Sequence, residues 1–226
     1  MMNLLAVETA SHWCSVALWR AGEVVTRDDH IPQQHAERVL GQVDEVLAEA
    51  GIGARDLTHL AFGRGPGSFT GVRIAASVVQ GLGYSLGCPI APISSLLAMA
   101  EGMRRTGGHT AVVPAFDARR DEVYVAAYRY LDGVWRAVLD DCVIPPARLT
   151  ALGGSNADWI GVGGGWESYR ETMTDALGVA IAAIDHTRCP RAFDVAQLAA
   201  NGPPNAFVTP AQALPVYLRD DVVIER

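Results

Sequence analysis

The chain has 226 residues, half of them hydrophobic and 19% charged, which suits one large globular domain or two small ones. Its net charge of −7 argues against a protein that grips nucleic acid unaided, because phosphate contacts supply most of that affinity. A start at Met1 or Met2 runs into an apolar strand with no basic lead or cleavage site, no run reaches the length of a membrane span, and Cys14, Cys88, Cys142 and Cys189 show no paired spacing, so reduced thiols and a cytoplasmic location are expected.

The first predicted strand, residues 4–7, ends in Glu8-Thr9-Ala10. A polar loop leads to a second strand at 14–19, and a turn at Gly22 opens a third run at Val24-Val25. A helix over residues 33–50 follows, with Ala36, Val39, Leu40, Val43, Val46 and Leu47 on one face. Next comes a strand at 59–62 and then the segment Gly63-Arg64-Gly65-Pro66-Gly67-Ser68-Phe69-Thr70-Gly71-Val72-Arg73. This reads as a strand end, a sharp turn and a helix N-terminus, with Ser68 or Thr70 as cap. Free amides at such an end suit an anion. The segment nevertheless lacks the Gly-Lys-Ser/Thr ending of a triphosphate loop and the glycine spacing of a dinucleotide fingerprint.

In the helix over 69–84, Thr70, Arg73, Ser77, Gln80 and Tyr84 share one narrow face. The remaining apolar arc spans about two-thirds of the circumference, against the roughly 100° of an ordinary surface helix. Gly71, Gly81 and Gly83 each cost about 0.5–1 kcal/mol relative to alanine, which close approach of another backbone would offset. Two readings follow: a helix buried inside its own domain, or one facing its own sheet on one side and a partner chain on the other. A strand at 89–93, a helix at 94–105 and the flexible joint Thr106-Gly107-Gly108 close the first half.

The second half repeats this grammar. A strand at 111–116 ends in Asp117-Ala118-Arg119, followed by strands at 123–128 and 135–139 across a turn at Asp132-Gly133. A short helix near Arg148, a strand at 159–162, a helix at 167–177, a strand at 179–184 and a helix at 193–200 complete it. The order β-β-β-α-β-α-β-α, twice, predicts an α/β chain of two tandem ribonuclease-H-like domains, residues 1–106 and 107–226. This is the architecture of actin, sugar kinases and heat-shock ATPases. The tail from Pro203, with Pro204, Pro210 and Pro215, reads as an ordered loop or return segment.

In that architecture a nucleotide meets the acids that end the first strands and a later glycine turn. The candidates here are Glu8 and Thr9, Asp117, and Gly163, Gly164 and Gly165. Neither acid is followed by the glycines that let a backbone wrap a phosphate, and Arg119 and Arg120 crowd the second turn. A phosphotransferase needs positioned donors and usually a metal. No working ATPase is therefore expected, and weak ATP or ADP binding is the most these strand ends would support. His12, His30, His35, His59, His109 and His186 include no His-x-x-x-His pair, so no metal site is expected. Ser68 and Ser155 lack the flanking glycines of a nucleophile elbow. The pairs Asp28-Asp29, Asp140-Asp141 and Asp220-Asp221 read as solvated strand ends. No catalytic residue and no cofactor are assigned.

The segments Leu5-Ala6-Val7-Glu8-Thr9, 62–73, Phe116-Asp117-Ala118-Arg119 and Pro215-Val216-Tyr217-Leu218-Arg219 closely resemble the bacterial TsaB (YeaZ) family, subunits of the machinery that makes N6-threonylcarbamoyladenosine in tRNA. The resemblance implies a non-catalytic paralogue of the metal-binding enzyme TsaD. Where that enzyme carries two metal-binding histidines, this chain reads Ile93-Ser94-Ser95-Leu96-Leu97-Ala98-Met99-Ala100. It also implies that the first two helices pack against TsaD, or against a second copy when the chain is alone. Arg64, Gly65, Pro66, Gly67, Ser68, Phe69, Thr70, Gly71, Arg73, Ala76, Ser77 and Gln80 are then the expected partner-binding residues. The ATPase TsaE would join the assembly, TsaC would act upstream, and tRNA would be met only through the complex. Ala10 stands where many members carry serine, which further weakens a phosphate role there. The rival readings are a kinase or ATPase of the same fold, a metallopeptidase, and a homodimer with an independent regulatory role.

Overall fold

A computed structural model describes residues 1–153 and 158–219. Ser155 and the acids Asp220 and Asp221 lie outside the described residues. The chain divides into two compact units. Unit 1 holds Met1–Gly102 and Cys189–Pro215, and unit 2 holds Met103–Arg188 with the chain from Val216 onward.

Unit 1 is built on β1 (Asn3–Glu8), β2 (Trp13–Arg20), β3 (Glu23–His30), β4 (His59–Gly63) and β5 (Ile90–Ile93), in the order β3-β2-β1-β4-β5. The first three strands form an antiparallel meander, and β4 and β5 run parallel to β1. The third strand is longer than the Val24-Val25 run suggests, because its polar residues pair with β2 along the full ladder from Arg20↔Glu23 to Trp13↔His30. Central β1 is buried on both faces, which is why it reads as a continuous apolar run. Leu5 and Val7 face α1 (His35–Glu49) and α2 (Phe69–Leu86), with Val39, Val43, Val46, Ala75, Ala76 and Val79 in one core.

The opposite face of this sheet carries a row of alanines. Ala17 pairs with Ala6, Ala6 with Ala61, and Ala61 with Ala91, so four strands present one methyl each along a straight line. Against that row lies α5 (Ala192–Asn201), through Ala192, Val195, Ala196 and Ala199, all fully buried. Its entry is anchored by the Ser15 hydroxyl, which accepts the Ala192 amide at 2.7 Å. Arg191, just ahead of it, stacks over Trp13 and pairs with Asp28 at 3.6 Å. This departs from the expected division at residue 106: the helix foreseen as the last of the second domain covers the first sheet. The return segment follows it, bonding Val208 to Ile90 in a short antiparallel bridge. Gln80 then holds the carbonyls of Pro210 and Ala213 at 3.2 and 3.1 Å.

Unit 2 repeats the sheet with β6 (Ala111–Arg119), β7 (Glu122–Leu131), β8 (Val134–Ile144), β9 (Trp159–Val162) and β10 (Ile181–Asp185), ordered β10-β9-β6-β7-β8. Counted within each half this is the same topology, so both units are ribonuclease-H-like sheets as the repeated grammar predicts. The short helix near Arg148 is a single 3-10 turn, Pro146–Arg148. The long helix that covers this sheet is α4 (Gly165–Leu177), which packs Trp166, Met173 and Leu177 onto Val113, Ala115 and Trp159. The Trp166 indole donates to the Val113 carbonyl at 2.8 Å. Gly161 is glycine because a Cβ there would sit 2.7 Å from that ring. In the chain, α3 (Ser95–Gly107) runs past the expected boundary and ends at Gly108, which adopts a left-handed φ of 69°.

The alanine row makes a direct prediction. Ala61→Leu should lower the stability of the chain by about 1–3 kcal/mol or more through overpacking. Ala48→Leu on the exposed side of α1 should stay within about 0.5 kcal/mol. Urea unfolding midpoints compare the two, and an equal effect would refute close packing at the row.

Candidate functional site

Three loops meet at the ends of β1, β4 and β5. After β1, the Thr9 hydroxyl donates to the Gly71 carbonyl at 2.7 Å and the Ala10 carbonyl accepts the Ser68 amide at 2.8 Å. After β4, the Arg64 amide reaches the Ile93 carbonyl and the Gly65 carbonyl accepts the Ser95 amide, both at 2.8 Å. Ser68 caps α2, accepting the Gly71 amide at 3.2 Å, and Ser94 caps α3 in the same way through the Leu97 amide. The glycine-rich turn is thus stitched to its own neighbours on both sides.

Glu8 lies at the centre of this junction and is fully buried. Its Oε1 accepts the Ala10 amide at 2.6 Å and its Oε2 the Ser95 hydroxyl at 2.7 Å. Burial pushes its carboxyl above the ordinary carboxylate range, against the lowering effect of these donors and of the Arg191 charge. Sequence reasoning gives Ser95 no role. Its part follows only from the packing of α3 beside β1, a pairing of residues 87 positions apart.

The glycines of α2 separate by cause. A Cβ at Gly71 would overlap the Thr9 carbonyl oxygen, and one at Gly83 would come 3.0 Å from both Ile90 and Pro210. Ala76 is in the core with 3% exposure. Gly71 and Ala76, expected among the partner-binding residues, are therefore taken by contacts inside the unit, and a charged side chain at either would break the fold. Gly65 and Pro66 are also buried, Arg64, Gly67 and Gln80 are half-buried, and Ser68, Phe69, Thr70, Arg73 and Ser77 are exposed. Gly81 is exposed, and nothing lies within 4 Å of its Cβ position.

On this exposed side α1 and α2 enclose a groove of about 400 Å³, lined by Ala36, Val39, Leu40, Phe69, Thr70, Arg73, Ile74, Ser77 and Val78. Leu40 is 56% exposed and Phe69 49%, and the Arg73 guanidinium lies 3.5 Å from the Phe69 ring centroid. Leu40 and Ala36 belong to the apolar face of α1 in the sequence but are not part of the core of unit 1. That face is wider than the sheet can cover, which is the signal that points to them.

In unit 2 the candidate nucleotide residues are engaged locally. Asp117 accepts the Arg119 amide at 2.8 Å, closing a turn in which Arg119, Arg120 and Asp121 all take φ between 56° and 62°. The Gly163 amide binds the Asp185 carbonyl, and the Trp166 and Glu167 amides turn back onto Gly163 and Gly164. Gly165 is glycine because a Cβ would approach Ala115 and Phe116 to 2.9–3.1 Å. His35 is buried at the start of α1, where burial lowers its basicity. Among the described residues no three His, Cys, Asp or Glu side chains are placed to hold a metal ion, and no helix is long and apolar enough to cross a membrane.

The raised carboxyl of Glu8 has a pH consequence. As pH rises past the unfolded value of about 4.3, the unfolded chain loses its proton first, so stability from this group is lost up through the folded value. A glutamine side chain in its place has no proton to lose, while its amide keeps a partner for both Ala10 and Ser95. Glu8→Gln should therefore gain on the wild type in unfolding midpoint as pH rises from acid to neutral, and a constant difference across that range would contradict the buried carboxyl's role.

Comparison with known proteins fits this geometry. Residues 29–219 match the family model described as TsaD, tRNA N6-adenosine threonylcarbamoyltransferase. The tRNA threonylcarbamoyladenosine biosynthesis protein TsaB of Escherichia coli K12 is 37% identical over 98% of this chain and 96% of its own length. That of Haemophilus influenzae is 35% identical over 98% and 95%. The solved structure of YeaZ from Pseudomonas aeruginosa superposes with a TM-score of 0.88 at 41% identity, covering 96% of this chain and 100% of that one. With its duplicated sheet and its glycine-rich entry into α2, the chain belongs to the TsaB (YeaZ) family.

Proposed function

We propose that this chain acts in the biosynthesis of N6-threonylcarbamoyladenosine in tRNA as a non-catalytic cytoplasmic subunit that binds TsaD through the exposed face of α1 and α2. The groove between these helices carries the reading. Leu40 and Phe69 place apolar surface in water at a groove that also includes Ser77, and further along α2 the exposed Gly81 has no side chain to hold a partner away. A rimmed apolar patch on a compact unit marks an interaction surface. Gly81 sharpens the point. It weakens α2 by about 0.5–1 kcal/mol relative to alanine, and no neighbour in its own unit requires it.

The same face serves a second copy when the chain is alone, so the homodimer and the TsaD heterodimer compete for one surface. In this account TsaC supplies the activated threonylcarbamoyl group, the ATPase TsaE joins the assembly, and tRNA is met through the complex. The chain contributes no acid, base, nucleophile or metal ligand to the transfer.

Light scattering after size exclusion, on the chain alone and mixed with TsaD, tests this. Leu40→Asp should leave the fold intact and abolish the heterodimer. Gly81→Leu should weaken it at least roughly tenfold, whereas Gly81→Ala should raise the stability of the isolated chain by about 0.5–1 kcal/mol. A heterodimer unchanged by both Leu40→Asp and Gly81→Leu would move the interface elsewhere.

A further inference from the structure

The junction around Glu8 has a chemistry that the proposed docking face does not use. Two donors from different segments, the Ala10 amide and the Ser95 hydroxyl, converge on one carboxylate. Ser95 opens α3, whose N-terminal end carries the positive pole of the helix dipole. Arg191 adds positive charge from the residue before α5. On the β4 side the wall is Gly63, where any Cβ would overlap Oε2 of Glu8. Donors, a helix N-terminus and a wall without a side chain are the parts of a carboxyl site, in which burial sets the cost of the charge. Here the carboxyl group is covalently attached to the chain.

We propose that this crevice of unit 1 is a small-carboxylate site permanently occupied by the chain's own Glu8, and that unit 1 for this reason accepts no phosphate group at its strand ends. The nucleotide expected of the architecture does not fit the residues present. Its phosphate would have to displace a buried carboxylate from two hydrogen bonds. It would also have to pull the Ser68 and Ser95 amides from the carbonyls of Ala10 and Gly65. The absence of a glycine after Glu8 is then a consequence: the backbone there wraps a side chain and not a ligand.

Glu8→Ala tests this, because the atoms it removes, Cγ and the carboxylate, are those of an acetate ion. The variant should unfold at a lower temperature than the wild type. Sodium acetate should recover part of that loss, sodium chloride of equal ionic strength should not, and the wild type should respond to both alike. Ser95→Ala, which removes one donor but leaves the crevice filled, should also lower the midpoint and show no acetate response. If Glu8→Ala does not fold in chloride, the yield of folded chain after refolding in acetate or chloride reads the same quantity. An acetate effect no larger than that of chloride overturns the proposal, as does a wild-type midpoint for Ser95→Ala.

Discussion

The row of alanines across the first sheet is the constraint on which the rest of unit 1 depends. A sheet with both faces buried needs a cover on each side, and one face of this sheet is covered chiefly by α1 and α2. The other face presents Ala17, Ala6, Ala61 and Ala91 in line, a surface too flat and shallow for large side chains. A helix with its own small residues can settle closely onto it, and α5 supplies Ala192, Ala196 and Ala199. Close approach raises the number of atom pairs at van der Waals distance, each worth only about 0.1–0.2 kcal/mol but collectively large. The helix that fits begins about 100 residues beyond β5, the last strand of the sheet it covers, so the chain must leave unit 1, build unit 2 and return.

That return decides what α2 can do. The segment after α5 pairs with β5 through Val208 and runs beside α2, where Gln80 holds two of its carbonyls and Pro210 fills the space over Gly83. The β1 loop occupies the N-terminal end of the same helix over Gly71. Both buried glycines are thus taken by contacts inside the unit. What remains outward includes Phe69, Arg73, Ser77, Gly81 and Tyr84, and Gly81 there has no neighbour within 4 Å of its Cβ position to explain it.

Much of the fold is legible in the sequence because each half states its strands by short apolar runs and its helices by a 3.6-residue period. The glycine-rich turn is equally plain, although its sequence leaves the cap open between Ser68 and Thr70 and the structure gives it to Ser68. The placement of α5 is not, since the duplicated order assigns it to the second half, and only the register of four separated strands brings the alanines into line. The burial of Gly71 and Ala76 fails for a related reason. An apolar arc of two-thirds of a circumference shows how much of α2 must be covered, but not whether sheet, loop, return segment or partner covers each part. Glu8 is recognisable as a strand-end acid, whereas its use of Ser95 depends on a helix packed from 87 residues away.

The two readings of α2 offered by its sequence thus concern different sectors, one buried within the unit and one left outward, and α1 shows why the outward sector keeps its shape. Val39, Val43, Val46 and Leu47 seat α1 on the sheet, and buried Gln42 donates to the Cys14 carbonyl at 3.1 Å. On the flank, Arg38 joins Asp29 of β3 to Glu45, each at 2.5 Å, while Arg27 reaches Glu45 and Glu49. Gly41 leaves room for the Arg38 guanidinium, 3.1 Å from where a Cβ would stand. Exposed ion pairs each contribute only about 0.2–1 kcal/mol, so this network adds little to overall stability. The rotation of α1 about its axis is set instead by Val39, Val43, Val46 and Leu47 in the core, and that rotation leaves Leu40 at the groove. For the docking proposed at this face, an apolar side chain so placed would be pre-organised, and the ordering cost that otherwise weakens association would be met when the unit folds.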